Sequence, residues 1–350
     1  MRVVVEAASL NVSSGGLPRY TSELTQALAR CFPDDEFILA SDQPFSMPPD
    51  CPANLQRGGG PRSAAERRWW LWGLGREAGR QRADVVHGPD FAVPYLPNRP
   101  SVLTLHDLSP WMEPHWHQQA QRVRRRTPVL LGMGIATMVV THSESVRKQA
   151  LERFRLRPER VQAVPLAAPS WLRPVESRPA RPYFLFVGTL EPRKNVPALV
   201  EAWREVRREA DVDLVLAGRR RADGPELAAE AGLHLTGEVP DGQLAELYSG
   251  ALAVVYPSFY EGFGLPVLEA MQCGACVIAS TGLKEAGGDA AVYADGTAAL
   301  AAAMRQAAAH PEWVAEYRER ALARAREFSW ERTARLTYQV YEEARKRFGN

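Results

Sequence analysis

Two glutamates and two glycines lie close together in the chain and form its densest group of chemically capable residues. Glu261 and Glu269 are eight positions apart, and Gly262 and Gly264 lie between them. Pro266 suits the first turn of a helix, whose free N–H groups and dipole favour an anion such as a phosphate. Because glycine lets a backbone approach a ligand closely, the stretch predicts an anion held between two carboxylates. The alternative is a solvated Glu269 beside an ordinary tight turn.

Two adjacent cations follow another apolar run of the sequence. Arg193 and Lys194 come shortly after the run from Tyr183 to Gly188, which is typical of a buried strand. Cations at the carboxyl end of a strand suit a diphosphate. The alternative is that both side chains are solvated at the start of a helix. Both motifs lie in the same half of the chain, which favours a single anion site.

The elements that must position these residues follow one rhythm along the chain. Short runs rich in Val, Ile and Leu alternate with segments of helical period. Strands that are apolar on both faces are typical of a parallel, doubly wound sheet. A proline-rich linker over residues 169–182 separates two predicted domains, 1–168 and 183–332. A last helix, 333–350, is expected to pack back toward the first domain.

Composition and charge exclude several functional classes. The 350 residues are 45% hydrophobic and 24% charged, which is typical of a globular protein. A net charge of +2 gives no reason to expect a nucleic-acid partner. Four cysteines without metal-ligand spacing indicate a reducing, cytoplasmic location and no metal site. The absence of both G-x-G-x-x-G and G-x-x-x-x-G-K-[ST] argues against nicotinamide enzymes and P-loop kinases.

These motifs together resemble those of the retaining glycosyltransferases of family four. EGFGLPVLE reproduces the family's two glutamates separated by seven residues, and GTLEPRKN matches its phosphate-binding loop. Four further segments match in the correct order: SGGLPRYTSEL, LHDLSPW, VTHSESVRKQA and FSWERTA. The matches span almost the whole chain. The resemblance implies an α/β protein of the GT-B type, with two Rossmann-like doubly wound parallel-sheet domains facing a central cleft.

The resemblance also implies a reaction. A hexose, with mannose as the first guess, would pass from a nucleotide diphosphate sugar to a glycan, lipid or small-molecule acceptor with its anomeric configuration retained. The donor would be a GDP- or UDP-sugar. No cofactor and no metal are expected, because cationic side chains neutralise the diphosphate. Two alternatives are a phosphorylase of the same fold and a non-catalytic nucleotide-sugar sensor.

Individual roles carry over to matching positions. Lys194, aided by Arg193, would stabilise the departing diphosphate. Glu261 would bind the donor-sugar hydroxyls and Glu269 the ribose. His106 would contact the reacting sugar carbon through its ring or its backbone carbonyl. The other positions implied to bind the donor are Gly15, Gly16, Gly188, Thr189, Gly237, Val239, Gly262, Phe263, Gly264 and Leu265.

Three further features leave alternatives open. His87 and His142 end predicted strands, where they either line an acceptor site or only close it. The basic segment from Arg62 to Arg80 carries three tryptophans, which is typical of an interfacial membrane helix but equally of a helix packed on the sheet. The first interpretation places the protein on the inner membrane face. The pair Cys273 and Cys276 has redox-like spacing, but a structural role is favoured.

Overall fold

The described residues form thirteen strands in two parallel sheets, one of seven strands and one of six. The structure is a computed structural model, and it describes residues 1–12, 15–117 and 120–349. The strands are β1 (Arg2–Glu6), β2 (Glu36–Ala40), β3 (Leu55–Arg57), β4 (Val85–Gly88), β5 (Ser101–Leu105), β6 (Met138–Thr141), β7 (Val161–Ala163), β8 (Tyr183–Val187), β9 (Asp213–Ala217), β10 (Leu233–Gly237), β11 (Ala253–Tyr256), β12 (Val277–Ala279) and β13 (Val292–Tyr293).

Helices connect these strands. They are α1 (Gly16–Cys31), α2 (Leu74–Arg80), α3 (Gln121–Gly132), α4 (Glu144–Phe154), α5 (Val196–Arg207), α6 (Asp241–Gly250), α7 (Leu265–Gln272), α8 (Lys284–Gly287), α9 (Thr297–Ala309), α10 (Pro311–Ala325) and α11 (Trp330–Arg347). The helical period of the sequence predicts that α3 begins at Gln118, which lies outside the described residues. Among the described residues, none of the helices combines the length and the apolar composition that a membrane span requires.

In each sheet, successive strands are added first on one side of the earliest strand and then on its other side. The orders are β3-β2-β1-β4-β5-β6-β7 and β10-β9-β8-β11-β12-β13, and every pairing is parallel. The reversals fall between β1 and β4 and between β8 and β11, and such points are where doubly wound sheets bind ligands. Val3, Val4 and Val5 of β1 have no exposed surface, as expected for a strand covered on both faces. The predicted α/β fold with two Rossmann-like parallel sheets is confirmed.

The chain divides into two units. Unit 1 comprises Met1–Leu166 and Ser329–Asn350, and unit 2 comprises Ala167–Phe328. Residues 169–182 contain no helix or strand, but they belong to unit 2. The side-chain amide of Gln272 on α7 donates to the carbonyl oxygens of Pro169 and Leu172, at 2.5 and 2.7 Å. These bonds fix the beginning of the proline-rich segment on unit 2.

Helix α11 belongs to unit 1 although it follows unit 2 in the chain. It contacts α1 and the strands β4, β5 and β6. The ring of Tyr338 stacks on Phe32 with centroids 3.7 Å apart, and the hydroxyl of Thr333 donates to the carbonyl oxygen of Pro165 at 2.7 Å. Ser329 caps the helix by accepting from the amide of Arg332. The last helix is therefore an integral part of the first unit's core.

The tryptophan segment is folded into unit 1 rather than being a separate amphipathic helix. Trp69 is 2% exposed and packs in a core cluster with Val4, Ile38 and Leu74. A π-helical turn over Trp69–Gly73 precedes α2. Trp72, by contrast, is 40% exposed. The core interpretation is therefore correct for Trp69, and only the outer edge of the segment faces water.

Candidate active site

The predicted cations and the first glutamate meet because their strands are neighbours. Arg193 and Lys194 lie in a 3₁₀ turn over Pro192–Lys194, after β8. Glu261 lies in the loop that follows β11. Strands β8 and β11 pair in parallel, so their carboxyl ends share one edge of the sheet. That edge is where a doubly wound sheet presents its functional loops.

A tight ionic cluster forms at this edge. The Lys194 ammonium nitrogen lies 2.5 Å from Oε1 of Glu261, and Nη1 of Arg193 lies 2.9 Å from Oε2 of the same carboxylate. Nη1 of Arg193 also donates to the carbonyl oxygen of Tyr260 at 2.8 Å. All three charged side chains are nearly buried. The alternative that both cations are solvated is therefore wrong.

Arg193 is held in place from its other side. Its Nε and Nη2 donate to Oε1 of Glu191 at 3.2 and 2.8 Å, and Oε2 of Glu191 accepts from Arg221 at 2.7 Å. At least four of the five guanidinium N–H groups of Arg193 are thus engaged. Lys194 carries three N–H donors, of which one, among the described residues, bonds Glu261. Lys194 is therefore the better placed of the two cations to receive an anion.

The cluster keeps Glu261 ionised. Burial alone would raise its pKa, but Lys194 and then Arg193 outweigh that effect and lower the pKa from 4.5 to about 2. A carboxyl group with this pKa holds no proton at neutral pH. Glu261 can therefore accept hydrogen bonds from hydroxyl groups and stabilise positive charge, but it cannot act as a general acid.

Helix α7 begins at the predicted glycine turn. Its N-cap residue Gly264 has a φ of 99°, in the left-handed region, and a Cβ there would lie 2.5 Å from Cδ2 of Leu283. Only glycine meets both conditions. Phe263 is buried edge-on against Phe328, with centroids 5.9 Å apart. Because the first amides of a helix lack acceptors within it, the start of α7 is a position that suits an anion.

Glu269 lies inside this helix and is 2% exposed. Its Oε2 accepts from the Tyr248 hydroxyl of α6 at 3.0 Å. The Tyr256 hydroxyl lies 3.4 Å from that of Tyr248 and donates to the carbonyl oxygen of Pro266 at 3.2 Å. The alternative of a solvated Glu269 is therefore wrong. The two glutamates of the motif have different partners: cations for Glu261 and a tyrosine for Glu269.

The remaining predicted donor positions of unit 2 follow the neighbouring strands. Gly188 and Thr189 come directly after β8, and the Gly188 amide donates to Ala217 of β9 at 2.9 Å. Gly237 ends β10, and Val239 lies between β10 and α6. Because β10, β9, β8 and β11 are consecutive in the sheet, all these positions fall at the same edge as the ionic cluster.

Sequence reasoning missed the supporting ions of the cluster. Glu191 and Arg221 join the loops after β8 and β9, and Arg221 also pairs with Asp223. Glu191 could have been noticed, because it lies only two residues before Arg193. Arg221 could not, because its contact depends on the order of strands in the sheet.

In unit 1, the predicted residues also follow the carboxyl ends of strands. Gly15, with a φ of 116°, is the N-cap of α1, which begins at Gly16. Ser14, the first residue of that motif, lies outside the described residues. His106 follows β5, with Nε2 2.6 Å from the carbonyl oxygen of Pro89 and Nδ1 3.0 Å from Nε2 of His142.

The hydrogen bonds determine the tautomers of this histidine pair. Nε2 of His106 faces a carbonyl oxygen and must carry a proton, so its Nδ1 is the acceptor when the ring is neutral. Nε2 of His142 is then the donor, and its Nδ1 forgoes the longer 3.3 Å contact with the carbonyl oxygen of Val164. Burial, and then the neighbouring His106, lowers the pKa of His142 well below its ordinary value. Both ring nitrogens of His106 are therefore engaged within the unit.

His87 does not line an acceptor surface. It has no exposed surface, and burial lowers its pKa to about 3, with a smaller contribution from His106. Its Nδ1 lies 2.7 Å from the Tyr341 hydroxyl of α11, and its Nε2 lies 2.8 Å from the Thr104 hydroxyl. His142 is buried as well. Both histidines therefore support the interior of unit 1 instead of meeting an acceptor.

The structure also bears on two other roles considered from the sequence, a redox-active cysteine pair and a metal site. Cys273 and Cys276 are buried free thiols, and burial raises the pKa of each to about 12, which opposes redox reactivity. Within the described ranges, no group of three or more His, Cys, Asp or Glu side chains is placed to hold a metal ion.

Comparison with known proteins defines the class of this chain. The model of glycosyltransferase family 4 matches residues 14–170, and that of the group 1 glycosyl transferases matches residues 181–310. O-antigen chain mannosyltransferase B of Escherichia coli is 34% identical over 283 residues, which cover 74% of each chain. The chain therefore belongs to the group 1, family 4 glycosyltransferases.

Solved structures show the same fold. Sucrose-phosphate synthase of Thermosynechococcus elongatus superposes with a TM-score of 0.76 at 21% identity, covering 98% of each chain. HepE of Anabaena, in complex with UDP and glucose, gives a TM-score of 0.74 at 17% identity, covering 98% of this chain and all of that one. The two parallel sheets are therefore those of a GT-B protein.

Proposed function

We propose that this glycosyltransferase is a retaining hexosyltransferase that uses a nucleotide diphosphate sugar as donor. The observation that carries the proposal is the cluster of Lys194, Arg193 and Glu261 at the carboxyl ends of β8 and β11. It provides a cation for a diphosphate and an ionised carboxylate for sugar hydroxyls within one hydrogen-bonded group. The neighbouring glycine turn before α7 adds backbone donors.

The residues of unit 2 have distinct roles in this proposal. Lys194 neutralises the charge that develops on the diphosphate as the bond to the sugar breaks. Arg193 positions Glu261, because most of its own donors are engaged. Glu261 binds donor-sugar hydroxyls and stabilises positive charge on the ring. Glu269 binds the ribose, in addition to accepting from Tyr248.

Unit 1 contributes His106 and the glycine loop. Because both ring nitrogens of His106 are engaged with Pro89 and His142, its backbone carbonyl is the better group to meet the reacting sugar carbon. Gly15 is the N-cap of α1 and Gly16 begins it, where amides without intrahelical acceptors suit an anion. No ring nitrogen of unit 1 is assigned as a proton acceptor. The departing phosphate would take the proton from the hydroxyl group of the acceptor substrate that attacks the sugar.

The relatives' names support the donor and acceptor classes of this proposal. Mannose is the favoured hexose, because the E. coli relative is a mannosyltransferase of O-antigen chains. UDP is the nucleotide bound by HepE, so guanosine and uridine donors are both included. A glycan or a lipid-linked glycan is the favoured acceptor. The protein needs neither cofactor nor metal in this proposal, and the four free thiols support a cytoplasmic location.

Incubation with a panel of GDP- and UDP-sugars, with and without glycan acceptors, tests the proposal. We expect release of nucleoside diphosphate from at least one donor, with GDP-mannose first, and loss of release in Glu261→Gln. A sensor protein would bind a donor without consuming it. A phosphorylase would form sugar 1-phosphate from a glycan and inorganic phosphate. Either result would contradict the proposed reaction.

A further inference from the structure

The ring of His106 is held by four neighbours within unit 1. Its Nε2 donates to the carbonyl oxygen of Pro89 at 2.6 Å, and its Nδ1 lies 3.0 Å from Nε2 of His142. The ring of Tyr20 is perpendicular to it, with centroids 5.1 Å apart, and the ring of Phe91 lies 5.6 Å away. The orientation of this side chain is therefore fixed by two hydrogen bonds and two aromatic contacts.

His142 reaches His106 because strands β5 and β6 pair in register. The last pair of these parallel strands joins Leu105 to Thr141, so His106 and His142 are the next residue on each strand. Their ring centroids lie 5.0 Å apart. His142 is only 2% exposed, whereas His106 is partly exposed. A buried His142 can therefore act on a ligand only through His106.

The bond between the two rings begins where the backbone pairing ends. Strand β5 ends at Leu105, so His106 lies one residue beyond it. The rotamers open to a side chain depend on the φ and ψ of its own residue, so a fixed His106 ring also restricts the direction of the His106 carbonyl. Without the donor at Nδ1, the ring would keep one hydrogen bond, to Pro89, and could turn about it.

We infer that His142 is a positioning residue for glycosyl transfer: its Nε2–H orients His106, whose backbone carbonyl meets the reacting sugar carbon. This inference rests on the proposed function, which assigns that contact to His106. His142 itself touches neither donor nor acceptor. A misplacement of about 1 Å can cost roughly 100-fold in rate, so the loss of one hydrogen bond behind the reacting groups should lower turnover.

His142→Leu keeps apolar bulk and removes the donor to His106. We expect turnover of the preferred nucleotide sugar to fall roughly 10-fold or more, with little change in nucleoside diphosphate affinity. Tyr341→Phe is the matched control, because it removes the partner of another histidine ring nitrogen in unit 1, Nδ1 of His87, and no partner of His106. The control should turn over like the wild type, although its stability falls. Equal losses of turnover in the two variants would overturn the inference.

Two amide variants separate the bond to His106 from the other contacts of His142. In His142→Gln the amide nitrogen takes the place of Nε2 and can donate to His106. In His142→Asn the amide takes the place of Nδ1, which faces the carbonyl oxygen of Val164. We expect the glutamine variant to regain most of the turnover that the leucine variant loses, and the asparagine variant to regain little. Equal turnover of the two amide variants would contradict the assigned role.

Nuclear magnetic resonance detects the bond independently of activity. In protein with ¹⁵N-labelled histidine, an N–H···N bond gives a scalar coupling between the two nitrogens, which we expect between Nε2 of His142 and Nδ1 of His106. A wild type without this coupling would overturn the inference whatever its activity. A wild type with the coupling that consumes no donor would overturn the proposed function, and the role of His142 in transfer with it. A wild type and His142→Leu of equal turnover would overturn this inference alone.

Discussion

At the residue scale, the carboxylate of Glu261 is bonded by two cations, Lys194 and Arg193, at the carboxyl ends of β8 and β11. The types and spacing of Glu261, Arg193 and Lys194 were enough to predict a shared anion site. The ion pair from Glu191 to Arg221, which fixes Arg193, was not predictable, because it depends on the pairing of β8 with β9. The sequence also left open whether Glu269 is solvated, because a single glutamate in a helix does not indicate whether it lies on the buried or the exposed face.

The two glutamates should respond differently to substitution, because only contacts that strengthen in the transition state accelerate a reaction. Glu261→Gln keeps the shape but removes the charge near the sugar, so donor turnover should fall steeply with little change in nucleoside diphosphate affinity. Glu269→Ala should weaken that affinity by roughly 10-fold, the scale of one hydrogen bond to a charged group. Calorimetry and a donor-consumption assay measure both. Normal turnover by Glu261→Gln would refute the assignment.

A buried glutamate of unit 1, Glu6, should make stability depend on pH. Glu6 ends β1 and is almost fully buried, and burial raises its pKa from 4.5 to about 8, although its Oε1 accepts from the amide of Ala8. The folded state therefore binds a proton that the unfolded state releases between these values, so the free energy of unfolding should fall as pH rises through this range.

Glu6→Gln tests this dependence, because it keeps the acceptor for Ala8 and removes the titration. We expect the variant to exceed the wild type in stability increasingly as pH rises toward 8. Urea unfolding at a series of pH values measures the difference. A difference that does not change with pH would contradict the assigned burial effect.

At the element scale, helix α11 is tied to the strands of unit 1 by polar contacts. The Tyr341 hydroxyl bonds His87, whose other ring nitrogen bonds the Thr104 hydroxyl, which in turn lies 3.0 Å from the Tyr20 hydroxyl of α1. The sequence predicted that the last helix packs toward the first domain. It could not identify this chain of hydrogen bonds, because each link joins residues distant in sequence.

Removal of the Tyr341 hydroxyl tests how much this chain stabilises unit 1. Tyr341→Phe leaves a buried ring nitrogen of His87 without its partner, which should lower the free energy of unfolding by about 1–3 kcal/mol. Tyr317→Phe on α10 is the control, because that ring is partly exposed. Denaturant unfolding measures both changes. Equal, small losses would mean that the hydrogen bond between Tyr341 and His87 contributes little to the stability of unit 1.

At the scale of the whole molecule, the alternation of apolar runs and helical segments was sufficient to predict two parallel sheets. A strand that is covered on both faces is a continuous apolar run, and such a run can be recognised in the sequence without knowledge of long-range contacts. The unit boundaries were less predictable, because 169–182 has the composition of a linker and yet packs on unit 2 through Gln272. Proline indicates a lack of regular structure, but it does not indicate which neighbour a segment packs against.

A chelator should leave the reaction of the whole protein unaffected. The proposal assigns the neutralisation of the diphosphate to Lys194, with Arg193 in support, so no divalent ion has a role in that step. We expect equal donor consumption with EDTA and with added magnesium or manganese. If activity disappeared with EDTA and returned with either ion, a metal ion would neutralise the diphosphate in place of Lys194 and Arg193.

The cationic cluster of unit 2 is proposed to hold the donor's diphosphate, and one calorimetric comparison tests this role most directly. GDP and GMP, and likewise UDP and UMP, are titrated into the wild type and into Lys194→Gln. We expect the diphosphate of the preferred base to bind roughly 10-fold or more tightly than the monophosphate in the wild type. Lys194→Gln should remove most of this advantage. An unchanged ratio of the two affinities in the variant would contradict the account.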